Sequence, residues 1–315
     1  MKSWSIAAIL LAFSAFAGAQ SYPTKQIRLV VPAAPGGPND IIARLLAQKM
    51  GEAWGQPVIV ENRGGASGNI ASTLVAKADP DGYTLLVTTA SLAVNTALFK
   101  NPGYAATDFA PIAQVATTPN ILVAKPGSES TLKEVLEKFR TMSISYGSPG
   151  SGTTPHLSAA YLLNVINKIE ATHVPYKGAA PALNAAMTGE VQLSSVALPA
   201  AVELVKSGRL VGLGVTGATR SAAVPNVPTL VESGFPGLIY QTWVGVFAPA
   251  GTPAKVVDLI NAEVQKSLSQ PAFRERLANV GFDPAGGTVA DFDKYFRSEL
   301  ARWAKIVQET KATPE

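Results

Sequence analysis

The chain has 315 residues, 47% of them hydrophobic and 15% charged, with a formal charge of +4 and no cysteine. That length exceeds what one hydrophobic core normally serves, so two domains are expected. The missing cysteines exclude a disulfide scaffold, thiolate chemistry and a lipid-modified N-terminal cysteine. Lysine and arginine are interleaved with acids along the C-terminal helices instead of forming a patch, which argues against a nucleic-acid partner.

The first residues, MKSWSIAAILLAFSAFAGAQ, carry Lys2, an apolar run from Ile6 to Phe16 and the small-residue pattern Ala17-Gly18-Ala19. This is the layout of a secretory signal peptide, residues 1–19, with cleavage expected after Ala19. The run is shorter than the roughly 20 residues a membrane-spanning helix needs. The remaining chain is expected to be soluble in a periplasm.

Short β-type runs then alternate with helical segments. QIRLVVP (26–32) precedes a helix over 39–54, PVIVEN (57–62) precedes a small-residue helix over 69–78, and YTLLVTT (83–89) follows a DPDG turn. This order, with strands apolar on both faces, predicts a parallel sheet between helices. The stretch 112–126 reads as extended, and Thr131 with Glu134 forms a capping box. A second set follows: strands at 143–147, 169–176, 191–198 and 210–216, with helices at 155–166, 180–189 and near 199–206. Residues 240–253 are again extended. Three amphipathic helices finish the chain, with start signals at Thr252-Pro253 and at Thr288 with Asp291. Two α/β units joined by two extended crossings imply a discontinuous first domain, 20–120 plus 245–315, and a second domain, 121–244. The crossings at 112–126 and 240–248 are the expected hinges.

Three loops share one design: PAAPGGPND (32–40), ENRGGASGN (61–69) and YGSPGSGTTPH (146–156). Each places glycines before a helix start, where unpaired N–H groups and the positive end of the helix dipole favour an anion. Ligands in such sheets bind beyond the carboxyl ends of the strands, so a cleft between the domains would gather all three loops. None has the Gly-Lys-Ser/Thr ending of a phosphate loop, the dinucleotide fingerprint or the Gly-x-Ser-x-Gly elbow. A hydrolase using Ser151 or Ser148 with His156 stays open as an alternative, since triads vary in order. With only two histidines and no acidic cluster, no metal site is expected. His156 reads as a helix-start residue donating a hydrogen bond, and His173 as a satisfied core residue. Asn39, Ser148 and Thr153 read equally as caps or as ligand contacts.

YPTKQIRLVVPAAPGGPNDIIARLLAQKM, QPVIVENRGGASGNIASTLVAKADPDGYTLL, YGSPGSGTTPHLSA, HVPYKGAAPAL, VPTLVESGFPGL and WVGVFAPAGTP together resemble the Bug family, periplasmic solute-binding receptors of tripartite tricarboxylate transporters. The resemblance covers essentially the whole chain after the leader. It implies a two-lobed α/β Venus-flytrap fold, each lobe a sheet flanked by helices, closing on a small carboxylate without cofactor or metal. It also implies the membrane components of the transporter as partners, and we expect a monomer.

Carried onto this chain, the resemblance assigns ligand binding to Ala34, Gly36, Gly37 and Asn39 of the first loop, Ser67 of the second, and Thr89 and Ser91 after the third strand. Ser148, Gly152, Thr153, His156, Tyr176 and Lys177 follow from the middle domain. The chain departs from the family at Pro35, where alanine is usual, and at Val196 and Ala197, where an acid or amide is common. Losing a buried acid removes the partner for an ammonium group, which points to a non-amino carboxylate, a dicarboxylate or an aromatic acid. A ligand-binding sensor adaptor is the remaining alternative to an uptake receptor.

Overall fold

The structure, a computed structural model, describes residues 22–127 and 131–314; the expected leader lies outside the described residues. Ten strands and ten helices alternate among them. The first set is β1 (Ile27–Val31), α1 (Pro38–Trp54), β2 (Val58–Asn62), α2 (Asn69–Ala76), β3 (Thr84–Thr89) and α3 (Ser91–Leu98). The long β4 (Phe109–Ala124) leads through α4 (Leu132–Phe139) to β5 (Ile144–Ser148) and α5 (Thr154–Ala160). The last turn of α5 widens into a π-helical segment, Tyr161–Ile166. β6 (Ala171–Pro175), α6 (Ala179–Thr188), β7 (Leu193–Ala197), α7 (Val202–Lys206) and β8 (Val211–Val215) complete the second set. The chain returns as β9 (Gln241–Pro249), α8 (Ala254–Ser269), α9 (Pro271–Asn279), β10 (Asp283–Pro284) and α10 (Val289–Thr310).

The strands form one hydrogen-bonded order, β2-β1-β3-β9-β4-β7-β5-β6, with β8 and β10 also on β4. β1 is parallel to β2 and β3, and β5 is parallel to β6 and β7, as the alternation of strands and helices predicts. The two extended segments are the departure from an all-parallel reading. β9 runs antiparallel to β3 and β4, so the sheet is mixed. β4 changes partner midway: Phe109–Pro119 pair with β9, while Asn120–Val123 pair with β7.

The register places the loops. Thr89, the last residue of β3, lies opposite Val244, and Ala116 lies opposite the same Val244, so the carboxyl edge of β1–β3 meets β4 just before Pro119. Asn120 lies opposite Ala197, the last residue of β7, whose parallel neighbour β5 ends on the same side. The carboxyl edges of both parallel strand sets therefore face each other across the Pro119–Asn120 step.

Period-two alternation splits the strands between cores. Ile27, Leu29 and Val31 of β1 point to α1, α8 and α9, whereas Val30 points to α2, α3 and α10. In β4, Ile121 and Val123 pack with α6 and α7, and Leu122 faces the opposite core. That core is continuous from Leu86 and Phe247 in the first half to Tyr146 and Leu157 in the second.

Capping follows the sequence at two of three places. Thr131 with Glu134 and Thr288 with Asp291 form reciprocal boxes. Thr252 does not cap: its hydroxyl donates to the Pro249 carbonyl, and Pro253 stands at the N-cap of α8.

A buried carboxylate fastens α10. Glu299 Oε2 accepts the indole N–H of Trp243 on β9 at 2.8 Å and that of Trp303 at 2.7 Å. Arg302 pairs with Glu299 Oε1 at 3.4 Å and donates to the Ile239 carbonyl at 2.8 Å, stacking its guanidinium over Tyr240. Replacing Glu299 with alanine strands two buried donors, at about 1–3 kcal/mol each. In a thermal melt, Glu299→Ala is expected to lower the midpoint by roughly 5 °C or more, and Glu299→Gln, which keeps an acceptor oxygen, by less.

Candidate functional site

The loop after β1 is built around an internal anion. Asp40, in the first turn of α1 and only 3% exposed, accepts the Gly36 N–H at 2.9 Å, Arg44 Nε at 3.0 Å and the Asn62 side chain at 3.0 Å. Burial pushes this carboxyl up, but the hydrogen bonds from Arg44, Gly36 and Asn62 outweigh it and hold it below the ordinary range. Asn62 also donates to the Ala33 carbonyl at 3.1 Å, so the loop is held at both ends. Gly36 adopts φ +86°, and its amide is committed to Asp40. Gly37, not Asn39, is the N-cap of α1. Asn39 is the second helical residue, 5% exposed, and its amide has no hydrogen-bond partner among the described residues.

The loop after β2 lies directly on the first. A Cβ on Gly68 would stand 3.0 Å from Pro32 Cβ, and one on Gly64 would stand 3.7 Å from the Ala34 nitrogen. Ser67 takes the left-handed conformation at φ +55°, uncommon for a residue with a side chain. Its carbonyl accepts Asn95 Nδ2 at 2.9 Å, and the same amide donates to Asn69 Oδ1 at 2.7 Å. Two acceptors thus fix the Asn95 side chain and leave its Oδ1 buried without a partner. After β3, the Thr89 hydroxyl donates to Ser91 Oγ at 3.2 Å at the start of α3.

In the second half, the loop after β5 is tied mainly to itself. Ser148 Oγ is fully buried; it bonds the Gly150 carbonyl and amide and lies 2.7 Å from His173 Nε2. Thr153 caps α5, accepting the His156 N–H at 3.4 Å while its hydroxyl donates to the Gly150 carbonyl at 2.8 Å. The Gly152 N–H donates to His156 Nδ1 at 3.1 Å, so His156 accepts where the sequence suggested a donor, and its proton sits on Nε2. Burial, then repulsion from His173, pushes His156 down to about 3, and burial pushes His173 down to about 4. Tyr176 donates its hydroxyl to Glu190 at 2.7 Å, and Lys177 is exposed.

The halves touch through glycines. Gly152, at φ +74°, abuts α3: a Cβ there would be 2.8 Å from both Asn95 Oδ1 and Leu98 Cδ2. A Cβ on Gly178, next to Lys177, would stand 4.0 Å from Ala34 Cβ. The three loops therefore share one seam. Side chains with open hydrogen-bonding capacity there are Asn39, Ser67 and Ser91, while Ser148, Thr153 and His156 are engaged in shaping their own loop. Asp40, Asn62, Asn95 and His173 organise the seam without having been expected there. Asp40 and Asn62 were readable as an acid and an amide ending elements beside the first loop; for Asn95 and His173 the chain offers no local signal. Among the described residues, no group of three or more His, Asp or Glu side chains could hold a metal ion.

Facing carboxyl edges on a shared strand define the two-lobed fold of periplasmic binding proteins. The R. palustris protein Rpa4515, solved with adipate, superposes with a TM-score of 0.89 at 36% identity, over 93% of this chain and 100% of that one. MatC from Rhodopseudomonas palustris, with bound malate, gives 0.83 at 32% identity, over 91% and 100%. BugT of Bordetella pertussis is 33% identical over 99% of each chain. The chain belongs to the tripartite tricarboxylate transporter family receptors, whose model matches residues 42–311.

Because Gly152 has neither space for a Cβ nor a conformation suited to one, Gly152→Ala is expected to force the lobes apart. The left-handed backbone alone costs a non-glycine residue about 1–3 kcal/mol. Small-angle scattering should give a larger radius of gyration than the parent, with a lower thermal midpoint.

Proposed function

We propose that this chain is exported to the periplasm after cleavage near Ala19 and works there as a monomeric receptor. It captures a small carboxylate between its lobes and delivers it to the membrane components of a tripartite tricarboxylate transporter. The observation that carries this reading is the meeting of glycine-rich loops from both parallel strand sets at one seam, where neutral side-chain donors stand open. The lobes are residues 20–120 with 245–315, and 121–244. The exception is Gln241–Val244, which pair with Ala116–Pro119 and so go with the first lobe, moving the second boundary from 244 to Tyr240.

Within the proposed site, Asn39, Ser67 and Ser91 offer side-chain donors, and Ala34, Gly37 and Thr89 line the first lobe. Lys177, exposed, adds a positive charge at the rim, and Tyr176 walls the second lobe. Gly36, Ser148, Gly152, Thr153 and His156 hold the loops in register. Several donors to one carboxylate replace its hydration without a buried counter-charge. Donors contributed from both lobes favour the closed state, so ligand shifts the open–closed equilibrium.

A non-amino carboxylate is supported by the fate of the acids. Asp40 is committed to Arg44, Gly36 and Asn62, Glu190 accepts from Tyr176, and Val196 lies in the apolar core. An ammonium group would find no free carboxylate. Two relatives, solved with adipate and with malate, point the same way. Hydrolysis by Ser151 or Ser148 with His156 is disfavoured because both serines are buried and His156 Nδ1 is taken by the Gly152 N–H.

The test is a thermal-shift screen at pH 7.5 with adipate, malate, benzoate, aspartate and glutamate. Ligand at 100 times its Kd should stabilise the protein by about 2.7 kcal/mol. A plain carboxylate is expected to win, and Asn39→Ala and Ser67→Ala should each weaken it about tenfold, the loss of one charge-assisted bond. Tighter binding of aspartate or glutamate than of every plain acid would overturn the ligand class.

A further inference from the structure

The chain's two histidines meet face to face beneath the second lobe's binding loop. Their rings stack with centroids 3.7 Å apart and planes inclined by 14°. Tyr146 of β5 backs both, at 6.3 Å from His156 and 5.1 Å from His173. Each ring holds one end of the loop. His173 Nε2 bonds Ser148, where the loop leaves β5, and His156 Nδ1 accepts the N–H of Gly152, the residue that abuts α3 of the other lobe.

We propose that the stacked pair His156–His173 is a positioning element for ligand binding, and that proton uptake by the pair undoes the loop and releases the carboxylate. This rests on the receptor reading given above. The geometry tolerates only neutral rings. A proton on His156 Nδ1 would set two N–H donors against each other across the 3.1 Å that now separates ring and Gly152 nitrogen. Two imidazolium rings at the stacking distance would repel through a poorly solvated gap.

Among the described residues, no group of opposite charge acts on the pair. β5 brings Tyr146, β6 brings His173 itself, and α3 brings Val94, Asn95 and Leu98 across Gly152. β7, in register with β5, brings the uncharged Leu193 and Ser195 to the same face, while Ser194 turns away to the Ala182 carbonyl. The one charge that acts on His156 is His173. The sign follows: rings held neutral while the loop is closed regain ordinary basicity, near 6.5, when it opens. Affinity is then full above about pH 6.5 and falls as the pH drops toward 4.

The experiment measures binding of adipate or malate, whichever gives the larger thermal shift, by calorimetry from pH 7.5 to 4.5. It compares the parent with His156→Asn plus His173→Gln, whose amides stand in for Nδ1 and Nε2 but do not titrate in this range, and with His156→Leu. At pH 7.5 His156→Leu should bind about tenfold more weakly than the parent, having lost the acceptor for a buried donor, and the double variant, which keeps that acceptor, should bind more tightly than His156→Leu. By pH 4.5 the parent should have weakened at least about tenfold relative to the double variant. The ligand's own ionisation cancels in that ratio. A parent-to-double-variant ratio that stays constant across the range overturns the proposal, as does parent-like binding by His156→Leu. Failure of both probes to bind the parent at pH 7.5 counts against the ligand class alone. The loop is then read in the free protein, where the Gly150 and Gly152 amides should lose exchange protection on acidification in the parent and keep it in the double variant. Equal behaviour of the two proteins overturns the proposal.

Discussion

β4 stays hydrogen-bonded on both sides of the seam, and this continuity fixes where every loop can go. Phe109–Pro119 ladder onto β9 with register shifts at Ile112 and Val115, and from Asn120 onward the strand pairs with β7 and β8. A strand that crosses from one parallel set to another carries the carboxyl edges of both to the same place. The step itself is wrapped in polar side chains. The Asn120 N–H donates to Thr216 Oγ1 at 2.8 Å, its Oδ1 accepts from Thr242 at 2.8 Å, and its Nδ2 reaches Ser158 at 3.3 Å. Thr242 also meets Thr154 of α5, and Thr216 donates to the Tyr240 carbonyl. Each of these side chains is buried. Directional bonds at a crossing specify one geometry more sharply than an apolar contact of the same size, provided every member is satisfied.

The loops obey a division of labour set by hydrogen-bond supply. A glycine-rich turn exposes amides, but an amide can serve only one strong acceptor. In the first loop Asp40 takes one, and the return is a turn held rigid from beneath. In the second lobe His156 takes another. The donors left open are short neutral side chains and loop amides, which pre-organise a site without placing an uncompensated charge in it. Glycine serves a second purpose at positions 152 and 178: its missing Cβ sets how closely the lobes approach.

Beneath the seam the lobes are not independent bodies. One apolar core runs from α3 through Trp243, Phe247, Phe292 and Phe296 to Leu157 and Leu162. Trp243 meets Phe292 and Phe296 edge-to-face, with centroids 5.8 and 6.2 Å away. Domains separated by small polar interfaces move freely, whereas a continuous apolar core resists separation. Glu299 and Arg302 pin α10 to β9 and to the return segment, so this core ties the two lobes together beside the Asn120–Thr242 step.

What could be read from the chain divides along the line between local and long-range physics. Alternating strand and helix patterns, the capping boxes at Thr131 and Thr288, and the grouping of loops at strand ends are local signals, and they recover both parallel sets and the two-lobed fold. The antiparallel placement of β9 beside β3 depends on pairing between residues about 160 apart in sequence, a long-range constraint with no period of its own. α3 carries no start signal in the sequence, since SLAVNTAL begins directly after a strand with Ala90 at its N-cap and no polar cap to announce it. Thr252 misled for the converse reason: a threonine before proline looks like a cap until a nearby carbonyl claims its hydroxyl. The glycine at 152 and the histidine at 156 were both legible as parts of a binding loop. Their relation to α3 and to His173 was not, since it arises only once β5, β6 and α3 are brought together. A residue type can advertise that a close approach is allowed; only the fold decides what approaches.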